Sequence, residues 1–180
     1  MNHMKFENPS NRNAGLNWKI IDYPSVFIKL SDELAKIRTL HSKHIYKKGT
    51  EKFRGQREHD ISKLGIFAEL IARHYFENTK YKLDYTVAPL IEENPIVTAD
   101  IILNDYGKKS KIDVKGVKSK GKHLRINFAA HNNAQKIVTH YLFIQPISNT
   151  QAKCLWINYE DVTHWQIVDS TFTKCYEKEI

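Results

Sequence analysis

The run from Pro95 to Gly116, PIVTADIILNDYGKKSKIDVKG, constrains this chain more than any other stretch. Two extended segments, 96–103 and 110–115, flank Asn104-Asp105-Tyr106-Gly107, and that pattern predicts a β-hairpin. Side chains alternate along a strand, so Asp113 and Lys115 share one face while Ile112 and Val114 pack on the other. Asp100 stands inside an apolar run, where a carboxylate without a cation is costly to bury. The hairpin therefore brings two acids and a lysine together from neighbouring strands.

The segments around it take their roles from this pair. Residues 1–16 show no apolar period and read as an irregular arm, and Trp18 to Leu30 reads as extended structure broken at Pro24. Ser31, followed by Asp32 and Glu33, has the chemistry of a helix N-cap, and Leu34, Ile37, Leu40 or His41, and Ile45 continue at helical spacing. A basic loop follows, with Lys47, Lys48, Lys52, Arg54 and Arg57 and with Gly49 and Gly55 as breaks. A second helix is expected over 61–76. Its Ser62, Gly65, Glu69 and Ala72 form a strip of mostly small residues, which would let the helix approach a sheet closely and bring Glu69 to the hairpin. Leu83, Tyr85 and Val87 alternate as in a strand. Beyond the hairpin come a second basic patch with Lys118, Lys120, Lys122 and Arg125, a polar stretch holding His131 and Gln135, a central strand over 138–146, and its partner over 152–157. Asn158 is placed to cap a short helix, and the tail from Thr171 carries little signal.

At 180 residues, 41% hydrophobic and 27% charged, the chain suits one domain with an extension. A net charge of +8 favours polyanionic partners, nucleic acid first. Cys154 and Cys175 form neither a Cys-x-x-Cys pair nor a zinc spacing, which fits a reducing interior. No leader-like apolar stretch or membrane-length run is present, so a soluble, cytoplasmic protein with no membrane partner is expected.

A helical Glu69, a strand Asp100 and then Asp113-x-Lys115 on the next strand supply hard oxygen ligands and an ammonium group. This order resembles the PD-(D/E)xK nuclease superfamily. The resemblance covers about Ser62 to Pro146, and it departs from the family pattern at Ala99, where the proline would stand. Asp113-Val114-Lys115 is the chain's single Asp/Glu-x-Lys tripeptide, and its strand context gives it weight. The resemblance implies an α/β fold with a restriction-endonuclease-like three-layer core, a central mixed sheet flanked by helices. Residues 59–180 would form that domain, and 1–58 an N-terminal helical extension. It also implies Mg²⁺, with Mn²⁺ as a substitute, held by Asp100, Asp113, Glu69 and the Val114 carbonyl. Lys115 would serve the nucleophile, His131 or Gln135 would match a polar helix position used in some branches, and both basic loops would grip DNA. RNA is a weaker match, since no aromatic RNA platform is present. Cutting two strands favours a homodimer. The competing expectations are a non-cleaving nucleic-acid-binding protein of the same fold and a module whose basic loops bind an acidic protein.

Overall fold

A computed structural model of the chain describes residues 16–46, 56–79, 82–83, 99–105, 108–135, 137–170 and 173–180. In chain order the elements are β1 (Lys19–Asp22), α1 (Val26–Tyr46), α2 (Gln56–Glu77), β2 (Lys82–Leu83), β3 (Ile101–Asp105), β4 (Lys108–Gly116), β5 (His123–Asn127), α3 (Phe128–His131), β6 (His140–Pro146), β7 (Gln151–Asn158), a 3₁₀ turn (Glu160–His164), β8 (Gln166–Asp169) and β9 (Lys174–Glu179). Among the described residues a six-stranded sheet runs β1-β7-β6-β4-β3-β2, and a three-stranded sheet runs β5-β9-β8. β4 and β6 are parallel, and the other pairings are antiparallel. The protein is thus α/β with a mixed sheet. None of the helices among the described residues is long and apolar enough to cross a membrane.

Strand alternation divides the core in two. Ile112 and Val114 of β4, with Leu142 and Ile144 of β6, turn to one face and pack against Phe67, Ala68, Ile71, Ala72 and Phe76 of α2. Tyr141 and Phe143 turn to the other face, where they meet Leu124 and Ile126 of β5 and Tyr176 of β9. The second face therefore carries the small sheet, with the one-turn α3 beside it, where a helical layer was expected. β1 pairs with β7, and Ile21 and Tyr23 enter the first core, so β1 builds into the same sheet as β3, β4 and β6, while α1 packs on α2.

α1 starts earlier than its capping signal suggests. The Phe27 and Ile28 N–H groups donate to the carbonyls of Pro24 and Ser25, making the first turn at Pro24. Ser31 is buried inside the helix, where its hydroxyl donates to the Ile28 carbonyl at 3.0 Å. Asp32 instead accepts from Lys63 of α2 at 2.7 Å. The buried face of α1 is Ser31, Ala35 and Thr39, while Ile37 and Leu40, expected in the core stripe, are exposed.

α2 approaches the sheet closely at Gly116. A Cβ on Gly116 would lie 2.6 Å from the Leu64 carbonyl oxygen, whereas one on Gly65 would meet nothing within 4 Å. The close approach expected of Gly65 thus belongs to the strand side. Gly116→Ala is expected to destabilise the fold by about 1–3 kcal/mol through overpacking. Gly65→Ala, in a helix interior with open space, should stabilise it by about 0.5–1 kcal/mol. Urea midpoints of the two variants check both signs.

Candidate active site

The hairpin register pairs Ile101 with Ile112 and Asp105 with Lys108. Tyr106 and Gly107, expected in the turn, lie outside the described residues, as do 96–98 of the first extended segment. Continuing the register one residue past Ile101 sets Asp100 opposite Asp113. At this open end of the ladder the Val114 N–H donates to Asp100 Oδ2 at 2.6 Å, so the carboxylate takes the place of a missing strand partner. Arg73 of α2 donates to the Asp100 backbone carbonyl at 2.8 Å and ties that end of the hairpin to the helix.

Asp113 and Lys115 share a face of β4 as the alternation requires, and the Lys115 ammonium donates to Asp113 Oδ1. The Asp113 side chain is only 6% exposed, while Lys115 keeps 33% exposure. Glu69 is 15% exposed and lies 3.8 Å from Arg38 of α1. It is not the solvated helix charge that an i,i+4 pair with Arg73 would make it.

These side chains feel one another. Burial, reinforced by the charges of Asp113 and Glu69, pushes the Asp100 carboxyl well above the usual carboxylate range, against Lys115 and the Val114 N–H. Burial likewise raises Glu69, with Asp113 adding to the rise and Arg38, Arg73 and Lys115 opposing it. For Lys115, burial disfavours the charge, yet Asp113, Asp100 and Glu69 more than reverse that and hold it above the ordinary lysine value. The result is a set of three carboxyls, one firmly charged ammonium, and two guanidinium groups at its edge.

The donor set suits a hard divalent cation in kind, and positive charge among carboxyls raised by burial and mutual repulsion would relieve them. Among the described residues, however, no three His, Cys, Asp or Glu side chains are gathered closely enough to hold one ion as they stand. Asp100 Oδ2 is turned to the Val114 N–H and Asp113 Oδ1 to Lys115, and each carboxylate keeps a second oxygen that neither of these bonds uses.

The remaining predicted residues divide. His131 is buried, bonded through Nδ1 to the Tyr141 hydroxyl at 2.9 Å and stacked on Tyr159. Tyr141 is the register partner of Asp113, and burial together with Asp113 raises its pKa, so His131 stands one residue behind the acids. Gln135 is exposed, with its backbone N–H bonded to Asn133. Lys118, Lys120 and Lys122 are exposed beside the end of β4. Arg125 is committed to Glu177 on β9, which weakens its case as a phosphate contact. Lys47, Lys48, Lys52 and Arg54 lie outside the described residues, and Arg57 falls in the first turn of α2.

Two groups were missed from sequence. Arg38 was hidden in a helix read for its apolar stripe. Gln145, inside the apolar run of β6, carried the same signal that singled out Asp100, a polar residue where one is costly. Comparison with protein-family models, with curated proteins and with solved structures finds no match.

Proposed function

We propose that this protein is a Mg²⁺-dependent nuclease of the PD-(D/E)xK kind, hydrolysing phosphodiester bonds in DNA. One observation carries the reading: at the mouth of a hairpin Asp100 stands opposite Asp113 and accepts from the Val114 N–H, Asp113 holds Lys115 on the next strand, and Glu69 of the covering helix is buried within the reach of their charges. The order α2-β2-β3-β4, followed by β5 of the small sheet and the one-turn α3 before a β6 that runs parallel beside β4, supports a restriction-endonuclease-like core around it.

In this reading Asp100, Asp113, Glu69 and the Val114 carbonyl are the groups that would hold the cation. A divalent ion there supplies Lewis acidity and lowers the pKa of water at neutral pH. Lys115, held as ammonium, donates hydrogen bonds and offsets charge that gathers on the phosphate, so it is not the general base. Its partial exposure lets the ammonium reach a substrate from the Asp113 side, and the exposed lysines of the 117–122 loop stand beside it for neighbouring phosphates.

A second reading has its own support. Arg38, Arg73 and Lys115 match the three acids in number, so the cluster can balance its charge without an ion, as a non-cleaving DNA-binding protein would need. Supercoiled plasmid incubated with the pure protein in Mg²⁺, Mn²⁺ or EDTA separates the two. Nicking in either metal and none in EDTA is expected, and intact plasmid bound in every lane would reject the nuclease.

A further inference from the structure

β4 ends at Gly116, paired with Ile144, so Gln145 on β6 lies just past the last β4 residue and beneath the turn that follows. Gln145 is 2% exposed. Its amide nitrogen donates to the carbonyls of Lys118 at 2.8 Å, Gly121 at 2.9 Å and, more weakly, Ser119 at 3.3 Å. The Lys118 carbonyl also accepts from the Gly121 N–H at 2.7 Å, which closes the turn. A Cβ on Gly121 would stand only 3.0 Å from that carbonyl, so the turn has little room to spread. At its ends the Val117 N–H donates to the Ile144 carbonyl at 2.8 Å, and the Lys122 carbonyl accepts from the Ile180 N–H at 2.9 Å.

A segment reading VKSKGK repels itself and, with glycine and serine in it, has many conformations open to it. One buried amide gathers three of its carbonyls inward. The same act leaves Lys118, Ser119, Lys120 and Lys122 exposed, and none of the three lysines has an ion-pair partner among the described residues. The loop begins two residues after Lys115. Lys118 and Ser119 also form one wall of a cleft of about 510 Å³ that runs past Leu64 and Lys63 of α2.

We infer that Gln145 is a positioning residue for DNA binding: it holds the 117–122 loop in the form that presents Lys118, Lys120 and Lys122 to the phosphate backbone next to the acidic cluster. The inference rests on the reading of this protein as one that handles DNA. It does not require that the protein cut it. The side chain of Gln145 touches no substrate, and its effect passes through the lysines.

The test is anisotropy of a short labelled DNA duplex with the full-length protein in EDTA, over a series of salt concentrations, alongside plasmid cleavage in Mg²⁺. Gln145→Met keeps the shape and removes the donor. It should weaken binding about fivefold and make the dependence of log K on log salt shallower by about one phosphate contact. Its melting temperature should fall, since the inward-turned carbonyls lose a buried donor, and affinities are compared well below it. Where the Met variant fails to fold, Gln145→Asn, which keeps the donor but shortens its reach, should show the same change in milder form. Replacing Lys118, Lys120 and Lys122 together by Ala should reproduce the weaker binding and the shallower slope. The positioning role is overturned if the Gln145 variants match wild type in affinity and slope, if the triple variant does so, or if wild type does not bind the duplex. Binding without cleavage in wild type would defeat the nuclease reading and leave this inference to be judged on slope and affinity.

Discussion

Asp113→Ala is expected to lower metal-dependent nicking of plasmid DNA by about a hundred- to a thousandfold, the scale seen when a principal transition-state charge contact is removed. The side chain has two tasks in the proposed site. It is an oxygen donor for the cation, and it holds the Lys115 ammonium from the same face of β4. Removing it takes away both. The fold should survive, because Lys115 is one-third exposed and its ammonium can turn to water, whereas an Asp113 left without Lys115 would be a buried, uncompensated charge. DNA binding in EDTA should be unchanged or slightly tighter, since one negative charge has left the neighbourhood of the proposed phosphate contacts. The split between lost cleavage and kept binding is what identifies a catalytic role. Equal, metal-independent behaviour of wild type and variant would mean that Asp113 serves only as the partner of a structural lysine.

The parts of this design that could be read in the sequence are those fixed by short-range rules. Period-two alternation and a tight turn set the hairpin register, and once that register is set Asp100 must meet Asp113 whatever surrounds them. Glu69 was reached from its strip of mostly small residues on the second helix, although the close approach itself falls at Gly116 of the strand and not at Gly65. Elements that depend on distant partners were less legible. β9 (Lys174–Glu179) buries only Cys175 and Tyr176, so most of its sequence looks solvated, and it becomes a strand by pairing with β5 and β8. Ser31-Asp32-Glu33 carries the chemistry of a cap, yet tertiary packing uses Ser31 as a small buried residue facing α2 and commits Asp32 to Lys63. Leu40 and Ile37 keep helical spacing but point away from the core, because a helix as crowded against its neighbour as α1 packs on its small side chains. Local signals cannot rank such alternatives, since the deciding contacts lie far along the chain.

Asp100→Asn is expected to make the metal-free protein more stable at neutral and alkaline pH, by about 1–2 kcal/mol, while abolishing cleavage. Burial and the charges of Asp113 and Glu69 raise the Asp100 pKa above that of an unfolded carboxyl. Between those two values the folded chain binds more protons than the unfolded chain. Stability is therefore full below the unfolded pKa and is lost as pH rises through the folded one. Glu69 is shifted the same way and adds to this slope. Asparagine removes the ionisation and keeps an oxygen for the Val114 N–H, so the stabilising bond at the hairpin mouth survives. The variant should thus melt at a temperature less dependent on pH than wild type, with a residual slope from Glu69. Mg²⁺ discriminates further: an ion that binds only the folded state stabilises it by about 2.7 kcal/mol at a hundred times its dissociation constant. Wild type should gain stability with Mg²⁺, most steeply at the higher pH where the carboxyls are charged, repel one another and no longer hold protons against the ion, and Asp100→Asn should gain little. Melting curves of both proteins at two pH values, with and without Mg²⁺, give the answer. A less stable Asn variant, together with a wild type indifferent to Mg²⁺, would mean that the carboxylate belongs to a self-sufficient ion network and that no cation is needed among these acids.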